Sequence, residues 1–527
     1  MARFQRLSLI LMTSCAGLAL SACDGANDIA SPGTGGNVII NNPTPTPVPT
    51  PTPTPGTALV TPATGCPTIA DPQGLTDSGT ITGPTGTWRV CTLPARINAS
   101  VNLPKVAGLL YRLGGRVDVG TDLGATAVAG ERSVTLSIEP GAIVFGGTGV
   151  SWLAVNRGNK INAVGTATTP IIFTSRDNIL GLNTDTSSGQ WGGVVLMGRA
   201  QITDCAAPGA TPGTVGCERQ TEGAVDPALY GGATNTDNSG RLSYVQIRYS
   251  GYVLSADAEL QSLTTEGVGT GTQLDHIMSF NSSDDGAEFF GGNVNLKYFI
   301  SVGAEDDNLD SDTGVKLNAQ YVIAAQRAGI GDAMIEADTD NAFDGQTPRQ
   351  NTRVSNATFI QRSTTGADLA AILLRGGTDY TLVNSVVVSP ELPCLRISRA
   401  NTIQAANAAT DEAGPPIFRS VVMQCAATKY LGANGVTATD VQGVFGSGAN
   451  GNNDAFTPTL TGGFLNGANE AAVAAFNAST LSAFFDATTF VGAARATDTW
   501  FQGWTCNSAT LSFGTGNSGN CTSIPTT

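Results

Sequence analysis

Leu242-Ser-Tyr-Val-Gln-Ile247, Leu274-Asp-His-Ile-Met-Ser279, Leu296-Lys-Tyr-Phe-Ile-Ser301 and Ala319-Gln-Tyr-Val-Ile-Ala324 are four versions of one short apolar strand. The pattern returns as Val354-Ser-Asn-Ala-Thr-Phe359, Leu382-Val-Asn-Ser-Val-Val387 and Phe418-Arg-Ser-Val-Val-Met423. Taking the third residue of each as a marker gives positions 244, 276, 298, 321, 356, 384 and 420, separated by 32, 22, 23, 35, 28 and 36 residues. A smallest step near 22 that lengthens by insertion is the signature of a solenoid whose coil is three short strands and three turns, with loops added at the turns. A propeller would need about 40 residues and four strands per blade, and a leucine-rich repeat would show its leucine and asparagine framework. A β-sandwich would not bring the same hexapeptide back at steps of 22 and 23. The expected class is therefore all-β, a parallel β-helix.

Upstream the strands are denser: Ile138-Glu-Pro-Gly-Ala-Ile-Val-Phe145, Ile161-Asn-Ala-Val-Gly-Thr166, Pro170-Ile-Ile-Phe-Thr-Ser175 and Gly189-Gln-Trp-Gly-Gly-Val-Val-Leu-Met-Gly198. With Ala371-Ile-Leu-Leu-Arg-Gly-Gly-Thr378 downstream, they resemble the right-handed parallel β-helix proteins of the pectate-lyase-like fold, and in particular a group of bacterial surface lipoproteins. The resemblance covers roughly residues 100 to 430. It implies a fold and says little of function, because this architecture carries lyases, hydrolases, adhesins and inert spacers alike.

The chain begins with Arg3 and Arg6, an apolar run from Leu7 to Leu20, and Leu20-Ser-Ala-Cys23. A run this short, with small residues before a cysteine, reads as a signal peptide rather than a membrane span. Its end resembles the bacterial lipobox, which implies a diacylated Cys23 at the mature N-terminus and an attachment to membrane. Asp24 resembles an inner-membrane retention signal of enteric bacteria, a rule that transfers poorly, so the expected destination is the cell envelope, as an outer-membrane lipoprotein. From Pro43 to Pro55 proline alternates with Thr or Val. Such a segment is an extended polyproline stalk of about 3.1 Å per residue, reaching roughly 40 Å. The expected organisation is a signal peptide over 1–22, an anchor and disordered linker over 23–65, a β-helix over 66–430 and a C-terminal cap over 431–527. In the cap, Glu470 to Phe485 carries the one amphipathic helical pattern, with Asn469 placed to cap it. A solenoid needs such a cover, since an open last coil leaves apolar core and unpaired backbone in water.

The formal charge of −15 becomes −17 once Arg3 and Arg6 are cleaved, leaving 25 basic against 42 acidic residues. An acidic surface disfavours nucleic acid and anionic headgroups, and favours cations or uncharged ligands. Of ten cysteines, Cys15 leaves with the signal and Cys23 takes lipid. The other eight fall into close sequential pairs, Cys66 with Cys91, Cys205 with Cys217, Cys394 with Cys425 and Cys506 with Cys521. Spacing does not fix connectivity, but four local disulfides are the simplest arrangement for an exported chain. One histidine and the lack of any Cys-x-x-Cys pair leave little for a zinc or haem site.

The polar residues concentrate in Asn281-Ser-Ser-Asp-Asp-Gly-Ala-Glu288 and Gly303-Ala-Glu-Asp-Asp-Asn-Leu-Asp-Ser-Asp-Thr-Gly314. Asp284 and Asp306 are 22 apart, as are Asp285 and Asp307, and Glu288, Asp310 and Asp332 continue the interval. In a 22-residue coil these carboxylates stack at the strand spacing of about 4.8 Å, where they repel one another. Bound Ca²⁺ would relieve that repulsion, since it accepts six to eight oxygens in flexible geometry; the alternative is ordinary Asp and Asn turn chemistry. The candidate ligands are Asp284, Asp285, Glu288, Asp306, Asp307, Asp310 and Asp312. The loop Asp338 to Gly345 is also acidic but lacks EF-hand spacing.

Polysaccharide lyases of the resembled fold use Ca²⁺ against a substrate carboxylate with an Arg or Lys as base, and Lys316, Arg327, Arg362 or Arg375 would supply one. No motif sets any of these beside the aspartates, and no carboxylate pair stands out for glycoside hydrolysis. His276 occupies the marker position of Tyr244, Tyr298 and Tyr321, so a stacked column explains it better than catalysis. There is no nucleophile elbow, phosphate loop or dinucleotide fingerprint. The reading is a non-enzymatic envelope lipoprotein that binds a glycan or an outer-membrane protein, with Ca²⁺ in its acidic turns. A Ca²⁺-dependent polysaccharide lyase and a ligand-free subunit of an envelope complex are the alternatives. Long insertions follow Thr203 and Ala400, and loops of that length are often functional.

Overall fold

The computed structural model describes residues 59–255, 258–364 and 370–526. The chain divides into two units, Met1–Pro49 and Thr50–Thr527, and the described residues lie in the second. The signal peptide, Cys23 and the proline-rich stalk lie outside them.

Two sheets wind along the described chain, a broad one of 15 strands, parallel beyond an antiparallel first pair, and a narrow parallel one of 11. Each coil passes from a broad-sheet strand to a narrow-sheet strand and back. In the broad sheet, Gly240–Arg248, Gln273–Phe280, Asn293–Val302, Lys316–Ala325, Asn351–Ile360, Asp379–Ser389 and Ile417–Cys425 lie side by side in that order. Their register aligns Leu242, Leu274, Leu296, Ala319, Val354, Leu382 and Phe418. All seven are buried, which is why the repeat was visible: each coil must supply one apolar residue to the same column of the core. From the narrow sheet, Ala287, Leu309 and Ile335 fill the other side.

The marker residues of the repeat have a backbone reason to recur. Tyr244, His276, Tyr298, Tyr321, Asn356, Asn384 and Ser420 all have φ between 51° and 63°. A single left-handed residue bends each broad strand into two arms without a loop, so two of the three sides of the coil are one continuous strand. This conformation costs a non-glycine residue roughly 1–2 kcal/mol. Stacking along the column offsets part of that cost: ring centroids of Tyr244 and His276 are 4.2 Å apart, His276 and Tyr298 4.4 Å, Tyr298 and Tyr321 4.8 Å.

Beyond each bend the strand is buried on both faces. Met278, Phe280, Ile300, Val302, Ile323 and Ala325 point away from the coil interior into a second cluster with Phe464, Phe501, Trp504 and Phe513. The C-terminal residues supply that cover. The helix Ala438–Phe445, closed by a capping box between Thr437 and Asp440, packs Phe445 against Phe418 and Tyr430 over the last coil. After it the chain turns back along the broad sheet. It meets Val422 at Asn453, exchanges hydrogen bonds with Asn384 at Phe476 (2.8 and 2.7 Å), donates from Ala493 to Thr358 (2.9 Å), lays Trp504 edge-on to His276 and ends with Ile524 beside Trp88 in the first coils. Residues 431–526 thus hold an end cover followed by a strap along the sheet.

The helix expected over Glu470 to Phe485 is not formed. Only Ala468–Ala471 is α-helical and Ala478–Thr480 makes one tight turn. The two-way pairing of Phe476 with Asn384 holds the backbone extended there, while Phe476, Leu481, Phe484 and Phe485 pack around Val383. The four expected disulfides are all present: Cys66–Cys91, Cys205–Cys217, Cys394–Cys425 and Cys506–Cys521.

Candidate functional site: an acidic face on the narrow sheet

Strand alternation fixes which side chains face outward on the narrow sheet. Ala287, Phe289, Ser311, Ile335 and Ala337 are buried, whereas Glu288, Asp310 and Glu336 are half-buried and outward. These three are successive register partners. Beside them the preceding turns place Asp284, Asp306 and Asp332, the backbone of Asp332 donating to Asp306 (3.2 Å). Past the strands, Asp312 and Asp338 follow.

One expectation is corrected here. Asp332 does not continue the Glu288–Asp310 row; Glu336 does. That coil has 26 residues between register partners instead of 22, because the turns on either side of the broad strand Lys316–Ala325 have grown. The 22-residue interval therefore finds Asp332 one turn early, stacked on Asp306. Glu336 was legible only through its local pattern, Ile335-Glu336-Ala337, which repeats Ala287-Glu288-Phe289.

Two groups of carboxylates come together, Asp284 with Asp285 and Asp306, and Asp285 with Glu288 and Asp310; within each, one oxygen per residue lies within 4.8 Å of the others. Asp307 and Asp312 stand outside both groups. Asp307 accepts from the Ala333 backbone (2.6 Å), and Asp312 from the Thr313 hydroxyl (2.9 Å). Asp285 also has a framework role, accepting from the Asp307 backbone (2.9 Å). The loop from Asp338 to Gly345 is spent on protein contacts: Asp338 pairs with Arg375 (3.3 Å), Asp340 caps the turn at Ala342 (2.8 Å), and Asp344 meets Asn401 (2.6 Å).

Burial and then neighbouring carboxylates push these acids upward. Asp284, Asp312 and Glu336 rise to about 7, and Asp285, Glu288, Asp306, Asp307 and Asp310 are raised well above the usual range. The arrangement fits a divalent cation on a separate ground. Asp310 Oδ1 is buried and has no hydrogen-bond partner among the described residues, leaving an acceptor that a hard cation would satisfy.

Of the four basic residues considered, one reaches this face. Arg375 pairs with Glu336 (2.6 Å) and Asp338 (3.3 Å), and although burial opposes its charge, the surrounding carboxylates raise its pKa further. Lys316 pairs with Asp411 (2.6 Å), Arg327 with Glu305, and Arg362 donates to the Thr510 carbonyl (2.6 Å). His276 lies in the ring column, its Nδ1 2.8 Å from Asp275 Oδ1. The insertion after Thr203, stapled by Cys205–Cys217, lays Cys217, Ala228 and Tyr230 over the outer face of Trp152, Val195 and Met197. It brings Arg219 against Asp204 and Thr221 onto the buried Glu266 (2.6 Å), neither of which the sequence pattern marked.

Residues 123–505 match the model of the pectate-lyase like beta helix domain, well over half of the chain. The chain belongs to this family. No curated protein and no solved structure matches it. Membership fits a carbohydrate-related function, and within the pectate-lyase-like family the outward acidic rows of the narrow sheet are this chain's densest polar constellation among the described residues.

Proposed function

We propose that this protein is a cell-envelope lipoprotein, anchored to the outer membrane through lipid on Cys23, whose β-helix binds carbohydrate without cleaving it and uses Ca²⁺ on its acidic face. The observation that carries the reading is the pair of carboxylate groups sharing Asp285, next to the unsatisfied Asp310 Oδ1. Asp284, Asp285, Glu288, Asp306 and Asp310 would hold the cation. When bound, it supplies positive charge that hydroxyl or carboxylate oxygens of a sugar can ligate. The protein's own part is to hold these oxygens on a rigid sheet. Binding of the full chain to a glycan panel with Ca²⁺, abolished by chelator, is the expected result; binding indifferent to chelation would overturn the role of the cation. Metabolic labelling with palmitate, lost in Cys23→Ala, tests the anchor, and membrane fractionation tests its location. An outer-membrane protein in place of a glycan would show as a crosslinked partner.

The family match favours a second reading, a Ca²⁺-dependent polysaccharide lyase. Against it, Arg375, which pairs with two carboxylates of the face, is held in its charged form, which suits a counter-charge better than a base. Acidic polysaccharides incubated with the protein should show no rise in absorbance near 235 nm, where unsaturated uronates absorb. A steady rise would establish the lyase.

A further inference from the structure

On the broad sheet, away from the acidic rows, three adjacent strands form the floor of a cavity of about 260 Å³. Its outward rungs are set by register: Asn293, Lys316 and Asn351 in one row, Asn295, Asn318 and Arg353 in the next. Thr270 closes one side. The lining is unlike the rest of this acidic chain. Four carboxamides and two cations face the space, and among the described residues no carboxylate lines it.

The hydrogen bonds show what is already used. Asn318 Nδ2 donates to Asn295 Oδ1 (2.9 Å), which aligns the two amides. Lys316 is neutralised by Asp411 at the rim (2.6 Å). Among the described residues Arg353 has no carboxylate partner; its guanidinium makes one long contact to the Leu481 carbonyl (3.4 Å). A guanidinium without a counter-charge among the described residues, beside ordered amides, matches an oxyanion carried on a hydroxyl-rich body, since the guanidinium takes the anion through paired N–H groups and each amide offers both donor and acceptor to hydroxyls. The volume is slightly below that of drug-sized pockets, about 300–1,000 Å³, which suits a single sugar unit.

We propose that this pocket is a binding site for one anionic saccharide unit, carboxylated or sulfated, independent of any cation on the narrow sheet. It rests on the carbohydrate reading only for the class of ligand. Arg353 takes the anion, and Asn293, Asn295, Asn318 and Asn351 take the hydroxyls.

The test is calorimetry or saturation-transfer NMR on the full chain in chelator, with glucuronate, glucose 6-sulfate and glucose as probes. At least one anionic probe should bind and glucose should bind at least about tenfold more weakly, the scale of a hydrogen bond to a charged group. Arg353→Gln should lose about tenfold for the anionic probe, with Arg353→Lys recovering part of it and both variants melting as the parent does. Which anion binds identifies the group recognised. Equal binding of glucose, binding unchanged in Arg353→Gln, or no binding of any probe would overturn the proposal. Because chelator is present throughout, this binding is read apart from the acidic face: a glycan panel showing no Ca²⁺-dependent binding, with glucuronate still bound in chelator, would sink the reading of that face and leave this one standing.

Discussion

Asp310 and Glu336 are register partners on adjacent parallel strands of the narrow sheet, and they face the same side of it although 26 residues separate them. Glu288 stands in the same row on the next strand. Rows of like charge on a rigid sheet store repulsion, which Arg375 offsets at the Glu336 end. The stability of this face should therefore depend on cations and on that arginine.

Addition of millimolar Ca²⁺ to chelated protein at pH 7.5 should raise the melting temperature, as any ligand specific to the folded state does. Asp310→Asn with Glu288→Gln should melt higher than the parent in chelator and lose most of the Ca²⁺ response. Thermal scans of both proteins with and without metal check this.

Arg375→Met should destabilise the chelated protein by about 3 kcal/mol, since removing one partner leaves Glu336 and Asp338 without their counter-charge. The loss should shrink in Ca²⁺. Denaturant unfolding in the two buffers gives both numbers; an equal loss in each would place Arg375 outside the electrostatics of the cation site.

Glu266 is buried beneath the insertion, accepts from Thr221 (2.6 Å) and is raised from 4.5 to about 8, by burial first. A carboxyl raised in the folded state binds more protons there than when unfolded. Stability then falls as pH rises from the unfolded value near 4.5 through about 8. Glu266→Gln keeps an acceptor for Thr221 and removes the titration. It should match the parent at pH 4 and exceed it at pH 8, on the order of a few kcal/mol, in chemical unfolding across that range.

Trp504 is fully buried, donates to the Trp500 carbonyl (2.7 Å) and lies edge-on to Tyr244 and His276. Trp504→Ala should cost about 3–5 kcal/mol and loosen the strap before the coils. Limited proteolysis should then cut within 450–526 while residues 100–430 stay intact; cleavage spread evenly over the chain would contradict a strap that detaches on its own.

The coils were legible because each contributes an apolar residue to one core column, so Leu274 and Leu296 announce themselves at a fixed step. The left-handed bend at Tyr298 and Tyr321 was visible as a recurring position without its conformation, since tyrosine is not a residue that advertises positive φ. The strap was not legible. Phe476 to Phe485 carries helical spacing, and what interrupts a helix there is Asn384, 92 residues upstream of Phe476 and part of another element. Likewise the acidic rows were found where the coil kept 22 residues, at Asp284 and Asp306, and lost at Glu336, where turns had lengthened. Local periodicity reports the register only while loop lengths stay constant.

The carboxylates around Asp285 are proposed as a cation site on the narrow sheet. Calorimetric titration of Ca²⁺ into the full chain, beside the Asp284→Ala, Asp306→Ala double variant, tests it most directly. The account predicts saturable binding in the parent and its loss in a variant that still melts cooperatively. A flat titration of the parent, or equal binding by both proteins, would contradict it.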